Sequence, residues 1–146
     1  MSFLDDLAAA KAAVEAEAQP KSPVLPIVVN KKLYEMVFYK ASTEVWSRAT
    51  VKNPPRTDVP LDITNGYNIS GAARDISPEC GRVIDDGVEI TLKAEDWAGI
   101  WKVIEPAAAR KIEAHVWTLH ELEAEKGIQT AKKASKPRPV SRKKSG

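Results

Sequence analysis

Proline is what most limits the folds open to this 146-residue chain, because ten of them punctuate it into short elements. Each ring fixes φ, removes a backbone donor and pushes the residue before it into an extended conformation. Pro20 and Pro23 end an Ala-rich helix that Ser2 caps and that is expected to run through Ala18. Pro54, Pro55 and Pro60 make "VKNPPRTDVP" an irregular but ordered loop. Pro78 is expected to stop a helical run. Pro106 suits the first turn of the last helix, where a missing N–H costs nothing.

Between these breaks the hydrophobic pattern assigns the elements. Val24–Val29 and Leu33–Tyr39 are rich in β-branched and aromatic residues about a turn at Asn30–Lys32, which predicts a hairpin. "STEVWSRAT" predicts a short helix capped by Ser42 or Thr43, with Val45, Trp46 and Ala49 inward. Asn65–Gly66 alone would suit a type I′ hairpin turn. Beyond it, however, Ile69, Ala72, Ala73 and Ile76 recur on one helical face, so a turn followed by a helix is expected. "RVIDDGVEITL" predicts a second hairpin about Asp85–Asp86–Gly87. Trp97, Ile100, Trp101 and Ile104 share one helical stripe. In the closing helix Ile112, Val116 and Leu119 point inward, extended by Leu122, with Gly127 as its stop.

This order implies an α+β fold: a small single domain with two short β-hairpins covered by helices. An Ala-rich helical arm is expected over 1–23, a globular domain over 24–131 and a disordered basic tail over 132–146. No apolar run approaches the ~18–20 residues of a membrane span. The N-terminus carries acids where a signal peptide needs cations, so the cytoplasm is the expected compartment, with no membrane partner. The single cysteine, Cys80, excludes an internal disulfide and fits a reducing environment.

Charge is segregated along the chain. Seven of the 22 basic residues and none of the 20 acidic ones lie in 132–146, so residues 1–131 carry a formal −5. The seven are Lys132, Lys133, Lys136, Arg138, Arg142, Lys143 and Lys144. Three readings of this string stay open: a solvated linker, a contact for an acidic protein, or a salt-sensitive contact for nucleic-acid phosphates. It has no interleaved aromatics, so it offers no base stacking.

Catalytic chemistry is sparse. His115 and His120 stand about 140° apart around a helix and cannot chelate one ion together. "HELEA" begins like a metalloprotease motif but has Ala124 in place of the second histidine. "GYNISG" lacks the lysine and hydroxyl of a phosphate loop, and "IDDG" lacks the alternating oxygens of a calcium loop. Cys80 reads as an idle or buried thiol, with only Arg82 as a basic neighbour. No catalytic residue, metal site or cofactor is expected. Two apolar stripes are the candidates for helix-in-groove contacts with a partner: Phe3, Leu7 and Val14 on the arm, where a frayed surface helix is the simpler reading, and Trp97 with Trp101; core packing is the simpler account of both.

The middle of the chain has a distinctive order. A Trp-bearing helix is followed by Asn53-Pro54-Pro55-Arg56, then Gly66-Tyr67-Asn68, a Pro-x-Cys-Gly turn at Pro78–Gly81, a hairpin and a second Trp helix. This resembles the tail assembly chaperones of long-tailed phages infecting actinobacteria, over about residues 33–135. The closing "VWTLHELEAEKGIQTAKKASK" is similar to their last helix and lysine-bearing end. The resemblance implies a non-enzymatic protein that holds the tape-measure protein, helps tail-tube subunits assemble and is absent from the finished virion. It also implies a longer product made by ribosomal frameshifting, with the basic tail near the junction. Self-association of the acidic body with the basic string is a further expectation. The alternatives are a nucleic-acid-associated protein acting through residues 132–146 and a structural tail or connector subunit retained in the particle.

Overall fold

Two-residue loops close both hairpins of the chain. Asn30 and Lys31 take φ of 51° and 65°, and Asp86 and Gly87 take 51° and 78°. Positive φ at both central residues is the type I′ geometry, whose twist matches that of the strands it joins. In the computed structural model, which describes residues 2–16 and 20–135 (side chains of 14–16, 123–127 and 135 excepted), these loops join four strands. The first connects β1 (Leu25–Val29) to β2 (Lys32–Phe38), the second β3 (Gly81–Asp85) to β4 (Val88–Ile90).

The two expected hairpins are both present, and they are joined edge to edge. β2 pairs antiparallel with β3, Glu35 opposite Ile84 and Phe38 opposite Gly81, giving one four-stranded sheet in the order β1-β2-β3-β4. A lone two-stranded ribbon is marginal in water, and merging the two supplies the width a helical layer can cover. The sheet also reaches further back than residue 24. Ser22 N–H donates to the Phe38 carbonyl at 2.7 Å and Lys40 N–H to the Pro20 carbonyl at 2.7 Å, so residues 20–23 belong to the domain rather than to the arm.

Residues 39–80 connect β2 to β3 through three helices: α2 (Thr43–Lys52), α3 (Pro60–Asn65) and α4 (Ile69–Cys80). Ser42 caps α2, its Oγ accepting from Val45 N–H at 3.3 Å. The short α3 was not expected from the proline-rich stretch. Pro60 occupies its first turn, where a pre-set φ favours the helix, and Gly66 ends it in the left-handed conformation at φ 84°. The Asn65–Gly66 pair is thus a helix stop, followed at once by Asn68 capping α4 through Gly71 N–H at 3.0 Å. Pro78 does not end α4, which continues to Cys80. Sitting in the last turn, the proline removes one bond to the Arg74 carbonyl and nothing downstream.

After the sheet come α5 (Ala94–Val103) and α6 (Pro106–Trp117). From α6 the chain stays helical through a π-helical turn (Thr118–Leu122) into α7 (Glu123–Ser135). Gly127 therefore does not stop the last helix. Its penalty of about 1 kcal/mol is tolerated where good helix formers, Gln129, Ala131, Lys132, Lys133 and Ala134, follow. Lys132 and Lys133, expected in a disordered tail, are helical residues at its end.

Helices cover one face of the sheet. Leu25, Ile27, Met36 and Phe38 meet Trp46, Ile69, Ile76, Trp97, Ile112 and Val116 in one core. Each large side chain buried there contributes roughly 1.5–3 kcal/mol. α4 is the central helix, with Ala72 and Ala73 fully buried, their small side chains admitting close neighbours. Gly81 is required where Phe38 and Trp97 converge: a Cβ there would stand 2.6 Å from the Trp97 ring and 2.8 Å from the Phe38 ring.

One buried carboxylate holds the connection in shape. Asp62 Oδ2 accepts from Arg56 Nε at 2.7 Å and from Arg56 N–H at 3.1 Å, while Oδ1 accepts from Arg56 Nη2 at 3.1 Å and Ile69 N–H at 3.3 Å. These bonds, the Arg56 side chain first, outweigh the burial penalty and hold the Asp62 carboxyl down at about 2. Asn53 completes the knot. Its carbonyl accepts from Asn68 N–H at 2.8 Å, and its Nδ2 donates to the Ala49 carbonyl and to Asp75 Oδ2, each at 2.7 Å.

Asp62→Asn is expected to cost about 2–4 kcal/mol in urea unfolding with an unchanged m-value, because Arg56 loses its charged partner while the packing volume is kept. The folded carboxyl titrates below its ordinary 3.8, so its contribution is complete above the usual carboxylate range and disappears as pH falls toward 2. The variant should accordingly lose less stability than the parent over that acid interval.

Candidate functional site

The π-helical turn gathers an aromatic and polar cluster. His120 Nε2 accepts the Ala41 N–H at 2.9 Å, and Nδ1 lies 2.7 Å from the Val116 carbonyl, an acceptor only. The neutral Nδ1–H tautomer satisfies both contacts. The ring stacks on Trp46 at 4.6 Å between centroids, and the Trp46 indole N–H donates to Glu121. Tyr67 meets Trp46 edge-on and accepts from Trp117 Nε1 at 3.1 Å. Burial is the largest influence on both titratable rings: it lowers His120 and raises the Tyr67 hydroxyl to about 12. π-turns often mark functional sites, but every polar atom of His120 is spent on backbone, so the cluster clamps the closing helix to α2.

The chemistry sought in the sequence is not assembled in one place. Among the described residues His115 shares no hydrogen bond with the cluster; its Nδ1 lies 2.8 Å from the Lys111 carbonyl. Cys80 is buried under the sheet, and desolvation drives its thiol up to about 12. Glu113, nearly buried, is paired with Arg74 Nε at 2.8 Å, and that guanidinium lies 4.8 Å over the Trp101 ring. Among the described residues no group of three or more His, Cys, Asp or Glu side chains is placed to hold a metal ion. No helix among them is long and apolar enough to cross a membrane.

Exposed apolar side chains are scattered over the described residues, Val51, Leu61, Ile63 and Val103 among them, and two groups of them stand out. The first is α1 (Phe3–Ala16), whose side chains are exposed at every described position; Phe3 is 76% and Leu4 72% accessible. Ser2 caps it, Oγ accepting from Asp5 N–H at 3.2 Å. The second is the face of the sheet turned away from the helices. There Val28 (57% exposed) stands directly opposite Leu33 (71%) beside the lysines of the Asn30–Lys32 turn. The far half of that face is closed: Tyr39 donates to Glu89 at 2.7 Å, Arg82 lies 5.7 Å over the Tyr39 ring, and Val37 beneath is buried.

A cavity of about 420 Å³ lies where the arm leaves the domain, between Pro20–Pro23 and the α6/π-turn junction at Ala114, His115, Thr118 and Leu119. Its walls are mostly apolar, with Lys21 as the cation among them.

The predicted contact residues are thus divided. Phe3 and Leu7 are exposed as a binding arm requires, whereas the side chain of Val14 lies outside the described residues. Trp97 is corrected to a core residue, packed 5.7 Å from Phe38 and 6.0 Å from Trp101. Trp101 is half-buried under Arg74. Of the basic string, Lys132 and Lys133 lie on α7, while Lys136, Arg138, Arg142, Lys143 and Lys144 lie outside the described residues. Sequence reasoning missed the Val28–Leu33 pair. Its signal was available: both sit one residue out of phase with the buried Ile27 and the half-buried Tyr34.

Two measurements test this description. His120 titrates below its ordinary 6.5 when folded, so the unfolded chain takes up that proton first and stability should fall as pH drops from neutrality toward 5. His120→Gln should shrink that slope in urea midpoints measured across the interval. Cys80 should resist thiol reagents in the native state at mildly alkaline pH and react stoichiometrically once the chain is unfolded. No family model, curated protein or solved structure matches this chain.

Proposed function

We propose that this chain is a non-enzymatic assembly chaperone of the phage-tail type that its central segment resembles. It binds apolar helical segments of the tape-measure protein transiently in the cytoplasm of an infected bacterium and presents them to tail-tube subunits. The observation that carries this reading is the pairing of a rigid domain with unpartnered apolar surface on its α1 arm and at Val28–Leu33. Single exposed apolar residues are ordinary on any protein. A cross-strand pair and an exposed helix bearing Phe3, Leu4 and Leu7 are concentrated surface of the kind partners use. The neighbouring Lys31 and Lys32 suit the acidic flank of an amphipathic client helix.

Co-expression with a tape-measure protein tests the reading. The chain should keep the client in the supernatant, and Val28→Asp with Leu33→Asp should abolish this at least tenfold in Kd, a loss of about 1.4 kcal/mol or more, with melting unchanged. Intact mass of the product expressed from its own gene should reveal a minor longer species sharing this N-terminus. DNA affinity with a steep salt slope, lost on truncation at Thr130, would instead establish the nucleic-acid reading. Recovery of the chain from purified virions would establish a structural tail subunit.

A further inference from the structure

We infer that the α1 arms are exchanged between two copies of this chain, the first turns of one arm filling the cavity at the root of the other, and reciprocally. The inference does not depend on which client the protein binds, but it engages the arms with each other's domain, so that in the dimer the Val28–Leu33 face is the surface left to a client.

Four observations converge on it. A 14-residue helix with every described side chain exposed is marginal in water and needs a surface to lie on. The root of the arm is fixed: Ser22 Oγ accepts from Phe38 N–H at 3.0 Å, and Lys21 pairs with Tyr39 as an added rung of the sheet. The cavity beside that root, about 420 Å³, falls in the range of roughly 300–1,000 Å³ that receives small ligands and has room for a phenylalanine ring with an adjacent leucine. Its walls are apolar, and none of its described lining residues is acidic.

The arm is complementary to it. At about 100° per residue, Phe3, Leu4 and Leu7 occupy one sector, with Asp6 on one flank and Asp5 on the other. Those carboxylates meet the Lys21 ammonium and the Thr118 hydroxyl at the cavity rim. The tip of the arm lies about 20 Å along the helix from its C-terminal end, which favours the cavity of a second copy over that of its own chain. Two arms running antiparallel about a two-fold axis bring each tip to the other's root, the isologous arrangement typical of dimers.

Light scattering and sedimentation of the full chain at micromolar concentration should give the mass of a dimer. Phe3→Ser with Leu7→Ser should raise the dimer dissociation constant at least tenfold, while far-UV circular dichroism and the melting of the dissociated single chain stay those of the parent, since both side chains are exposed in the single chain. Lys21→Glu should weaken the dimer, and Asp5→Lys with Asp6→Lys should restore it. Because Cys80 is buried, introduced thiols report cleanly. Mixing the Leu4→Cys and Pro23→Cys chains under mild oxidation should yield a disulfide-linked heterodimer. A monomer at all concentrations, a dimer that survives deletion of residues 2–16, or a dimer without that cross-link would each overturn the inference.

Discussion

The pairing of β2 with β3 is the contact on which the rest of this structure depends. Each hairpin is local and closes through a two-residue turn, but the central rungs, Glu35 with Ile84 through Phe38 with Gly81, join residues separated by three helices. Without those rungs neither ribbon is wide enough to carry a helical layer, and Met36 and Phe38 have no continuous core to enter. Closing so long a connection is entropically costly, which explains why it is internally stiffened. The Asp62 carboxylate, the Asn53 side chain and carbonyl and the Gly66 stop leave the segment between α2 and α4 essentially one shape. α4 then runs straight into β3, with the glycine at the junction admitting two aromatic rings.

Much of this was legible from residue patterns, and the failures share a cause. The helical face of Ile69, Ala72, Ala73 and Ile76 is buried as its spacing required, and Ser42, Asn68 and the Asp86–Gly87 turn do what their chemistry favours. Pro78 and Gly127 were misjudged because a breaker near a helix end costs little when the flanking residues are held by packing or are good helix formers. The joining of the hairpins was not legible, since strand periodicity names a face and not a neighbour. The candidate surface was only half legible for the same reason. Trp97 and Val28 each lie in an apolar pattern, and only the finished sheet and helical layer decide that the tryptophan goes inside and the valine stays out.

The residues that carry the phage-chaperone resemblance are largely the joints of the fold. Arg56 is spent on Asp62, Asn53 on Ala49, Asn68 and Asp75, Tyr67 on Trp117, Cys80 and Gly81 on the sheet junction. Such residues speak to architecture: a chain needing this connection between two hairpins must put hydrogen-bonding or small residues at those points. The proposed activity rests on different residues, those left outside the core on α1 and on the open half of the sheet. Architecture and activity are therefore carried by nearly separate sets of positions. A sequence could drift on its binding surface while keeping the joints intact.

The margins of the sheet carry a consequence of their own. β1 is an edge strand containing Pro26, which has no N–H to offer, and the opposite edge, β4, is only three residues long. An extended polypeptide thus finds no long uninterrupted row of donors and acceptors on which to continue the sheet. Adhesive side chains are displayed broadside while the margins stay poor templates for another strand. A molecule built this way exposes apolar side chains on the face of its sheet without offering an edge on which cross-β growth of that sheet can start.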